Sequence, residues 1–499
     1  MKKIGQIFLT TMLFVSIMSP IKPVVADNID ATKARQVGAY FMASQFGNKA
    51  ITAQSLDQVY ELRNTVLDIP ALYIFNTADK RGFVVVSGSD CVDPIVAYST
   101  EGSFDPNNIP PNMMWMLNDQ ASPIAYAQNN NIEATVQSRE AWEELEFERL
   151  PYFGQNSKAI IRLLTSTWNQ EPLYNNWCPT DAGGRCVTGC VATAMSQILY
   201  YWKYPRQGGR FIKFYNWGGG YAEVNYGEQF YNYDIMADEL TYSSPTETID
   251  EVAKLNYHCG VSVEMRYTSQ SSGAVSEKVP EALRKYFKYV QDSMSLVSRS
   301  DARYHNPNNL TSPNDKDTNW VNDIKEQILK KRPVYYAGCD PDNNGSDARH
   351  AFVCDGYNSI TQMMHFNWGW GGRGDSWVNV FRSQLNAQGY QFTSEHRVIL
   401  GITPPRDSIA DPTPIAVQTV ENPFAADIYP NPASSQINVT YHIDGNSDVE
   451  MQIFDATGRI VRRVAVAPSS NLVTVDIADL NPGIYICRLQ GHSKKFIVK

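Results

Sequence analysis

Residues 187–202 read VTGCVATAMSQILYYW, and this stretch decides the fold of the central part of the chain. After Cys190 the apolar side chains recur at helical spacing, and Pro205 ends the pattern. The sequence therefore predicts a helix whose N-terminus holds Cys190. Unpaired backbone N–H groups and the helix dipole stabilise negative charge at such a position, so we expect a lowered thiol pKa.

A cysteine at a helix start is weak evidence by itself, because most free cysteines are small buried hydrophobic residues. The same position would nevertheless suit a nucleophile, since the N–H groups around Cys190 can form part of an oxyanion hole. Gly189 would leave room for a carbonyl group to approach. The hypothesis needs a base elsewhere in the chain.

His350 is the candidate base, because it opens an apolar run that predicts a strand, and a second predicted strand follows a turn. A hairpin centred near Ser359 would place His350 opposite Asn367 and Trp368. The amide could then orient the imidazole and the indole could shield it from water. His365, on the second strand, is interpreted as a structural histidine.

Two further stretches could line the same cleft. A glycine-rich loop with Trp370, Gly371 and Gly372 follows the second strand and lacks the Lys-Ser/Thr ending of a phosphate loop, so we interpret it as a cleft wall. Gln170 lies twenty residues before Cys190 and could donate its amide to an oxyanion. On spacing alone, Gln170 could equally be an ordinary loop amide.

Charge and composition exclude several functions. The net charge of −9 does not favour nucleic-acid binding, which depends on a basic surface. Cys178, Cys186 and Cys190 have neither CxxC pairing nor histidines at zinc spacing, so we expect no metal and no cofactor. Lys2 and Lys3 precede an apolar run that is short of the ~20 residues of a membrane span. We interpret this start as a signal peptide rather than a transmembrane anchor.

The 499 residues are too many for one core, and the pattern changes several times along the chain. The first half opens with helical and then strand patterns, and the C-terminus consists of short strands separated by turn signals. The predicted segments are a signal peptide at 1–26, an α+β unit at 27–158, a Cys- and Trp-rich segment at 159–405, a linker at 406–425 and a β-sandwich at 426–499.

Three blocks of the central segment together resemble the streptopain family of papain-like cysteine peptidases, which includes the interpain type. The resemblance implies an α+β fold in which a two-subdomain papain-like catalytic domain carries Cys190 as nucleophile, His350 as general base and Gln170 as oxyanion donor. Whether Asn367 or Trp368 orients the histidine stays open. Such enzymes are endopeptidases that require a reduced thiol and no metal, and they prefer a hydrophobic residue at the second subsite. The blocks are Trp168-Asn169-Gln170 with Tyr174-Asn175, Thr188 to Ala194 with Tyr204-Pro205, and His350 to Val353 with Asn367 to Gly372.

The resemblance also assigns the flanking segments. Residues 27–158 match the position of a propeptide that inhibits its own protease, and we expect processing near residues 156–159. The C-terminal segment resembles the sorting domain of type IX secretion, through Ile428 to Ala433, Ile453 to Arg459 and Asn481 to Tyr485. The implied partners are protein or peptide substrates, the propeptide and the export machinery, with a secreted or cell-surface location. A carbohydrate- or surface-binding module is the alternative for residues 426–499.

Two other functions remain possible on sequence grounds. A transglutaminase or cell-wall amidase of the same superfold would also place a cysteine before a histidine, but the block around Cys190 and the long propeptide favour a protease. A surface adhesin would use Cys190 and His350 only structurally. In that case thiol-directed protease inhibitors would not label Cys190.

Overall fold

The computed structural model describes residues 26–48, 50–147, 160–290, 294–301, 314–340, 348–380, 395–405, 428–440, 449–455, 459–467, 470, 472–489 and 492–499. The predicted signal peptide up to residue 25, the processing junction and the linker lie outside these ranges. Within them, no helix is both long enough and apolar enough to cross a membrane.

The N-terminal segment, residues 26–147, is an α+β unit as the sequence predicts. Asp30 caps its first helix by accepting a hydrogen bond from the Lys33 N–H, and buried strands follow. One long helix with Pro123 in its interior was not predicted. The elements are α1 (Ala31–Phe46), β1 (Leu56–Asn64), β2 (Ile69–Thr77), β3 (Phe83–Ser87), β4 (Ile95–Ser99), α2 (Pro111–Asn130) and α3 (Val136–Glu146).

The central segment, residues 160–405, combines helices with a mostly antiparallel sheet. Its elements are β5 (Ile160–Arg162), β6 (Thr180–Asp181), β7 (Gly184–Arg185), α4 (Cys190–Trp202), β8 (Ile212–Asn216), β9 (Tyr221–Asn225), α5 (Thr246–Ser262), α6 (Val279–Phe287), β10 (Ser295–Ser298), α7 (Asn314–Leu329), β11 (Val334–Asp340), β12 (Ala348–Asn358), β13 (Met364–Asn367), β14 (Ser376–Val378) and β15 (Glu395–Leu400).

The helix predicted from the opening stretch is confirmed. It starts at Cys190 and ends at Trp202, where Lys203 takes the left-handed conformation and Pro205 follows. Apart from its ends the helix is almost entirely buried, because it lies between α5 and β12. A helix that is apolar on most faces is expected in such a position.

The N-terminal and central segments share one sheet. Within the described ranges it has eleven strands, in the order β1-β2-β3-β4-β14-β13-β12-β11-β15-β10, with β5 paired to β12. The junction is the antiparallel pair of β4 and β14, where Trp377 lies opposite Tyr98 and Val378 opposite Ala97. The N-terminal segment therefore covers an edge that the central sheet would otherwise expose.

The C-terminal segment forms the predicted β-sandwich. Buried and exposed residues alternate along several of its strands, and the buried faces enclose one core. One sheet contains β16 (Ile428–Tyr429), β17 (Gln436–Thr440) and β20 (Leu472–Asp476), and the other contains β18 (Val449–Phe454), β19 (Ile460–Val466), β21 (Gly483–Leu489) and β22 (His492–Val498).

Candidate active site

Cys190 is the first residue of α4, at the point where this helix meets β12. Gly189 precedes it with φ +84°, in the left-handed region. A Cβ at Gly189 would lie 2.8 Å from the Met265 side chain and from the Ser272 carbonyl oxygen. Only glycine fits both this backbone conformation and this space, so Gly189 fixes the entry into the helix.

The Cys190 thiol lies among backbone N–H groups. Those of Ala351, Val191 and Cys190 itself hydrogen bond to the sulfur and lower its pKa, but burial outweighs them and raises the pKa of Cys190. The lowered pKa expected from the helix N-terminus is therefore wrong for this state of the protein. The reason is that burial disfavours the thiolate, and no charged group among the described residues offsets this effect.

His350 lies on β12, immediately before Ala351. Because the Ala351 N–H hydrogen bonds to the Cys190 sulfur, the tertiary structure brings His350 close to Cys190 in space. Burial lowers the pKa of His350, and no charged group contributes to that shift. Among the described residues, no hydrogen bond or charge interaction joins His350 to Cys190. The pair is adjacent but not engaged.

The predicted register of the hairpin is wrong. Asn367 pairs with Val353 rather than with His350, because the turn is centred beyond Ser359 and a bulge follows between Cys354 and Gly356. His350 therefore lies beyond the paired part of the hairpin. The prediction that it faces Asn367 and Trp368 across the strands is not met.

The Asn367 amide is instead buried among other polar groups. Its Nδ2 donates to the Ser166 carbonyl oxygen at 2.7 Å and to Gln197 Oε1 at 3.2 Å. Its Oδ1 accepts from Gln197 Nε2 at 3.0 Å and from the Gly369 N–H at 3.0 Å. Both ends of the amide are occupied, and neither touches His350.

Trp368 is buried and anchors the glycine-rich loop. Its indole Nε1 donates to the Gly374 carbonyl oxygen at 2.6 Å, and its backbone N–H donates to Asp375 Oδ1 at 2.9 Å. The Gly371 N–H donates to the Trp168 carbonyl oxygen at 3.2 Å. These bonds hold the loop of Trp370, Gly371 and Gly372 beside the segment that leads to Gln170. That the loop forms a cleft wall stays a prediction.

Gln170 is tied to the nucleophile side of the site. Its carbonyl oxygen accepts hydrogen bonds from both the N–H and the hydroxyl of Thr188, each at 3.2 Å. Thr188 precedes Cys190 by two residues, so these two hydrogen bonds link the segment of Gln170 to the start of α4. The side-chain amide of Gln170 has no hydrogen-bond partner in the described ranges, which leaves it able to bind an oxyanion.

Residues of α2 reach the histidine side of the site, and sequence reasoning missed them. Asn112 Nδ2 donates to the Trp368 carbonyl oxygen at 2.6 Å. The Trp115 ring lies directly on Gly338, the residue paired with His350, where a Cβ would approach the ring to 2.4 Å. Asp119 Oδ2 is 3.1 Å from His396 Nε2, and both groups are buried. No periodicity could reveal contacts between segments this far apart in sequence.

His365 contacts a buried aspartate rather than Cys190 or His350 in the described part of the chain. Its Nδ1 is 2.6 Å from Asp355 Oδ1, and both side chains are buried. Nearby, burial raises the pKa of Asp375 to about 6. The seven cysteines whose side chains the structure describes, Cys190 included, are free.

Comparison with known proteins divides the chain in the same way as its structure. Residues 168–378 match the model of the peptidase C10 family. Residues 26–124 match the model of the Spi protease inhibitor, and residues 427–499 match that of a secretion system C-terminal sorting domain.

Several relatives are similar over much of the chain. A thiol protease/hemagglutinin, PrtT, of Porphyromonas gingivalis is 27% identical over 403 residues, which cover 78% of this chain and 44% of the relative. The chain therefore spans less than half the length of that protein. Streptopain of Streptococcus pyogenes is 28% identical over 360 residues, covering 67% of this chain and 81% of the relative. The solved structure of a prointerpain A fragment from Prevotella intermedia has a TM-score of 0.53 and 26% identity, and covers 70% of this chain and 99% of that fragment.

The similarity to the prointerpain A fragment shows that the central segment has the fold of a papain-like cysteine peptidase. More specifically, residues 168–378 belong to the peptidase C10 family, and this part of the chain is a cysteine peptidase of the streptopain type. It is preceded by a protease-inhibitor segment and followed by a sorting domain.

Proposed function

We propose that the chain is the zymogen of a secreted cysteine endopeptidase, with Cys190 as nucleophile and His350 as general base. The observation that carries this proposal is the contact of the Cys190 sulfur, at the N-terminus of α4, with the N–H of Ala351, the residue that follows His350. A movement of the imidazole toward the sulfur would bring nucleophile and base within hydrogen-bond reach.

In the first step, His350 takes the thiol proton and the Cys190 sulfur attacks the carbonyl carbon of the scissile peptide bond. The negative charge that develops on the carbonyl oxygen is stabilised by the Cys190 N–H and the amide of Gln170. His350 then returns the proton to the leaving amine, and a thioester between Cys190 and the acyl half of the substrate remains.

In the second step, water hydrolyses this thioester. His350 accepts a proton from the water, the resulting hydroxide attacks the thioester carbonyl, and the same oxyanion donors act again. The C–S bond breaks and the thiolate of Cys190 is reprotonated or paired with the imidazolium of His350. Asn367 or Trp368 would orient the ring only after a rearrangement, because the Asn367 amide has other partners in this state.

The N-terminal segment is the inhibitor in this scheme. Trp115 and Asn112 contact the strand and loop that carry the histidine side of the cleft, while Cys190 and His350 stay disengaged. Removal of residues 27–158, by cleavage near 156–159, would free that side to move. This accounts for a nucleophile that is in place but is not engaged with its base.

The substrates we propose are extracellular proteins or peptides, with a hydrophobic residue at the second subsite. The sorting domain supports export by type IX secretion machinery, and a signal peptide at residues 1–26 would start that route. The location is then outside the cell or on its surface.

The test uses the full chain with Cys190→Ala and, as a matched control, Cys259→Ala, which removes a buried thiol from α5. Cys190→Ala should lower both casein hydrolysis and self-maturation by at least ~10³-fold, because the nucleophile is lost. Cys259→Ala should keep both, and amine incorporation, the transglutaminase reaction, should be absent in the parent. Casein hydrolysis that survives Cys190→Ala would contradict the proposal.

A further inference from the structure

Gln197 is a fully buried amide on the same helix as Cys190, seven residues further on. Seven residues are close to two helical turns, so both residues lie on one face of α4. Gln197 Oε1 accepts hydrogen bonds from Ser166 Oγ at 2.9 Å, from the Trp168 N–H at 3.2 Å and from Asn367 Nδ2 at 3.2 Å. Its Nε2 donates to Asn367 Oδ1 at 3.0 Å.

These partners belong to two other parts of the site. Ser166 and Trp168 lie in the segment that continues to Gln170, the candidate oxyanion donor. Asn367 ends β13, and its Oδ1 accepts from the Gly369 N–H at the start of the glycine-rich loop. One buried side chain thus connects the nucleophile helix, the oxyanion segment and the cleft wall.

The position of this amide is not explained by local structure. A buried glutamine costs free energy unless its groups are hydrogen bonded, and Ser196, the neighbouring polar residue, bonds to Asn256 of α5, away from the site. Gln197 instead directs all its polar atoms toward segments that carry candidate functional residues. A network in which every member is satisfied fixes its segments relative to one another.

We infer that Gln197 is a positioning residue that sets the distance between the Cys190 sulfur and the oxyanion donor Gln170. It touches neither substrate nor reacting atoms. Its effect on the reaction passes through Trp168 on one side and Asn367 on the other. This inference rests on the proposed cysteine peptidase function.

Small errors in such a distance are costly, since a displacement of ~1 Å far from the chemistry can lower a rate by ~10²-fold. The loss should fall on kcat, because the oxyanion forms only after the substrate is bound. The reactivity of Cys190 toward a small alkylating agent needs no oxyanion donor. That reactivity should therefore change little.

The experiment compares Gln197→Met with Ser196→Ala in the enzyme obtained by maturation of the full chain. Gln197→Met keeps the length of the side chain and removes its hydrogen bonds, and Ser196→Ala removes a buried hydrogen bond from the adjacent position of the same helix. We expect Gln197→Met to lower kcat on a peptide substrate by ~10- to 100-fold, with KM and the iodoacetamide rate within ~3-fold of the parent. Ser196→Ala should keep kcat within ~2-fold, even where thermal melting shows it to be less stable.

The kinetics of these variants distinguish a positioning role of Gln197 from a purely structural one. An unchanged kcat in Gln197→Met, or an equal loss in Ser196→Ala, would overturn the positioning role. If Gln197→Met does not fold, Ser166→Ala removes one donor to the same oxygen and should still lower kcat by ~3- to 10-fold, and no decrease would overturn the inference. Failure of the proposed function looks different, because the parent would then not cleave the peptide or Cys190→Ala would still cleave it.

Discussion

The two sides of the cleft are held in different ways. On the cysteine side, Cys190, Gln170 and their supports are bonded to one another, through Thr188 and Gln197, within the central segment. On the histidine side, α2 of the N-terminal segment packs against β11 and against β12, the strand of His350, and β4 pairs with β14. The hydrogen bonds of the cysteine side lie within the central segment, whereas the histidine side also contacts residues that maturation would remove.

This difference indicates where activation acts. A site that must be switched on needs one part that is already ordered and one part that can rearrange. The hydrogen bonds around Cys190 do not depend on the N-terminal segment, so we expect them to persist. The contacts of Asn112, Trp115 and Asp119 vanish with that segment, and the histidine side is then free to adopt a second arrangement.

The largest expected effect is the loss of the Trp115 contact. In a Cys190→Ala background, which prevents self-cleavage, Trp115→Ala should lower the free energy of unfolding of the zymogen by about 3–5 kcal/mol, because a large buried ring is removed from a tight contact with Gly338. Urea denaturation measures this value.

Trp142→Ala is the matched control for Trp115→Ala. Trp142 is an equally buried ring that packs within the core around α1. With Cys190 restored, Trp115→Ala should accelerate self-maturation more than Trp142→Ala does. Equal rates would mean that α2 does not restrain the histidine side.

The cysteine side should lose stability in acid. Burial of His258 lowers its pKa to about 3, and its Nδ1 is 3.0 Å from the Tyr231 hydroxyl. Since the unfolded state then binds more protons, stability falls as the pH drops below ~6.5 toward 3. At pH 4 the loss should be about 3 kcal/mol, measured by denaturation against a His258→Gln variant. A variant with the same pH dependence as the parent would refute this assignment.

The histidine side should respond to pH in the opposite direction. Burial raises the pKa of Asp375 to about 6, so the folded state holds the proton more tightly and stability falls as the pH rises through 4 to 6. Asp375→Asn removes this cost and keeps an acceptor for the Trp368 N–H. At pH 7 we expect a net gain of about 2 kcal/mol, after about 1 kcal/mol for an unpaired amide. A variant that is less stable at pH 7 and unchanged at pH 4 would contradict this cause.

Much of the fold could be predicted from local patterns. The helix from Cys190 follows from apolar spacing and a proline stop, and the strand from His350 follows from a continuous apolar run. The helix of residues 111–130 was missed, because Pro123 and several polar residues interrupt its period. The register of the hairpin was wrong, because a turn and a bulge shift the pairing without changing either strand.

The candidate site, like the fold, could be predicted only in part from the sequence. Cys190, His350 and Gln170 could be proposed from residue type, order and family resemblance, and their roles stay predictions. Three features could not be predicted, because each joins residues far apart in sequence. They are the partners of Asn367, the place of Gln197 and the contacts of α2. Alternation along a strand says nothing about which distant segment lies against it.

The sequence by itself determined which residues could do chemistry, where the helices and strands around them form, and that three distinct segments follow one another. Periodicity, proline and glycine act over a few residues, and a short stretch of chain is enough to express them. Only the tertiary structure decided that β4 pairs with β14 of the central segment and that Trp115 lies against Gly338, the residue paired with His350. Such contacts are chosen by the packing of whole surfaces, and that choice exists only once the chain has folded.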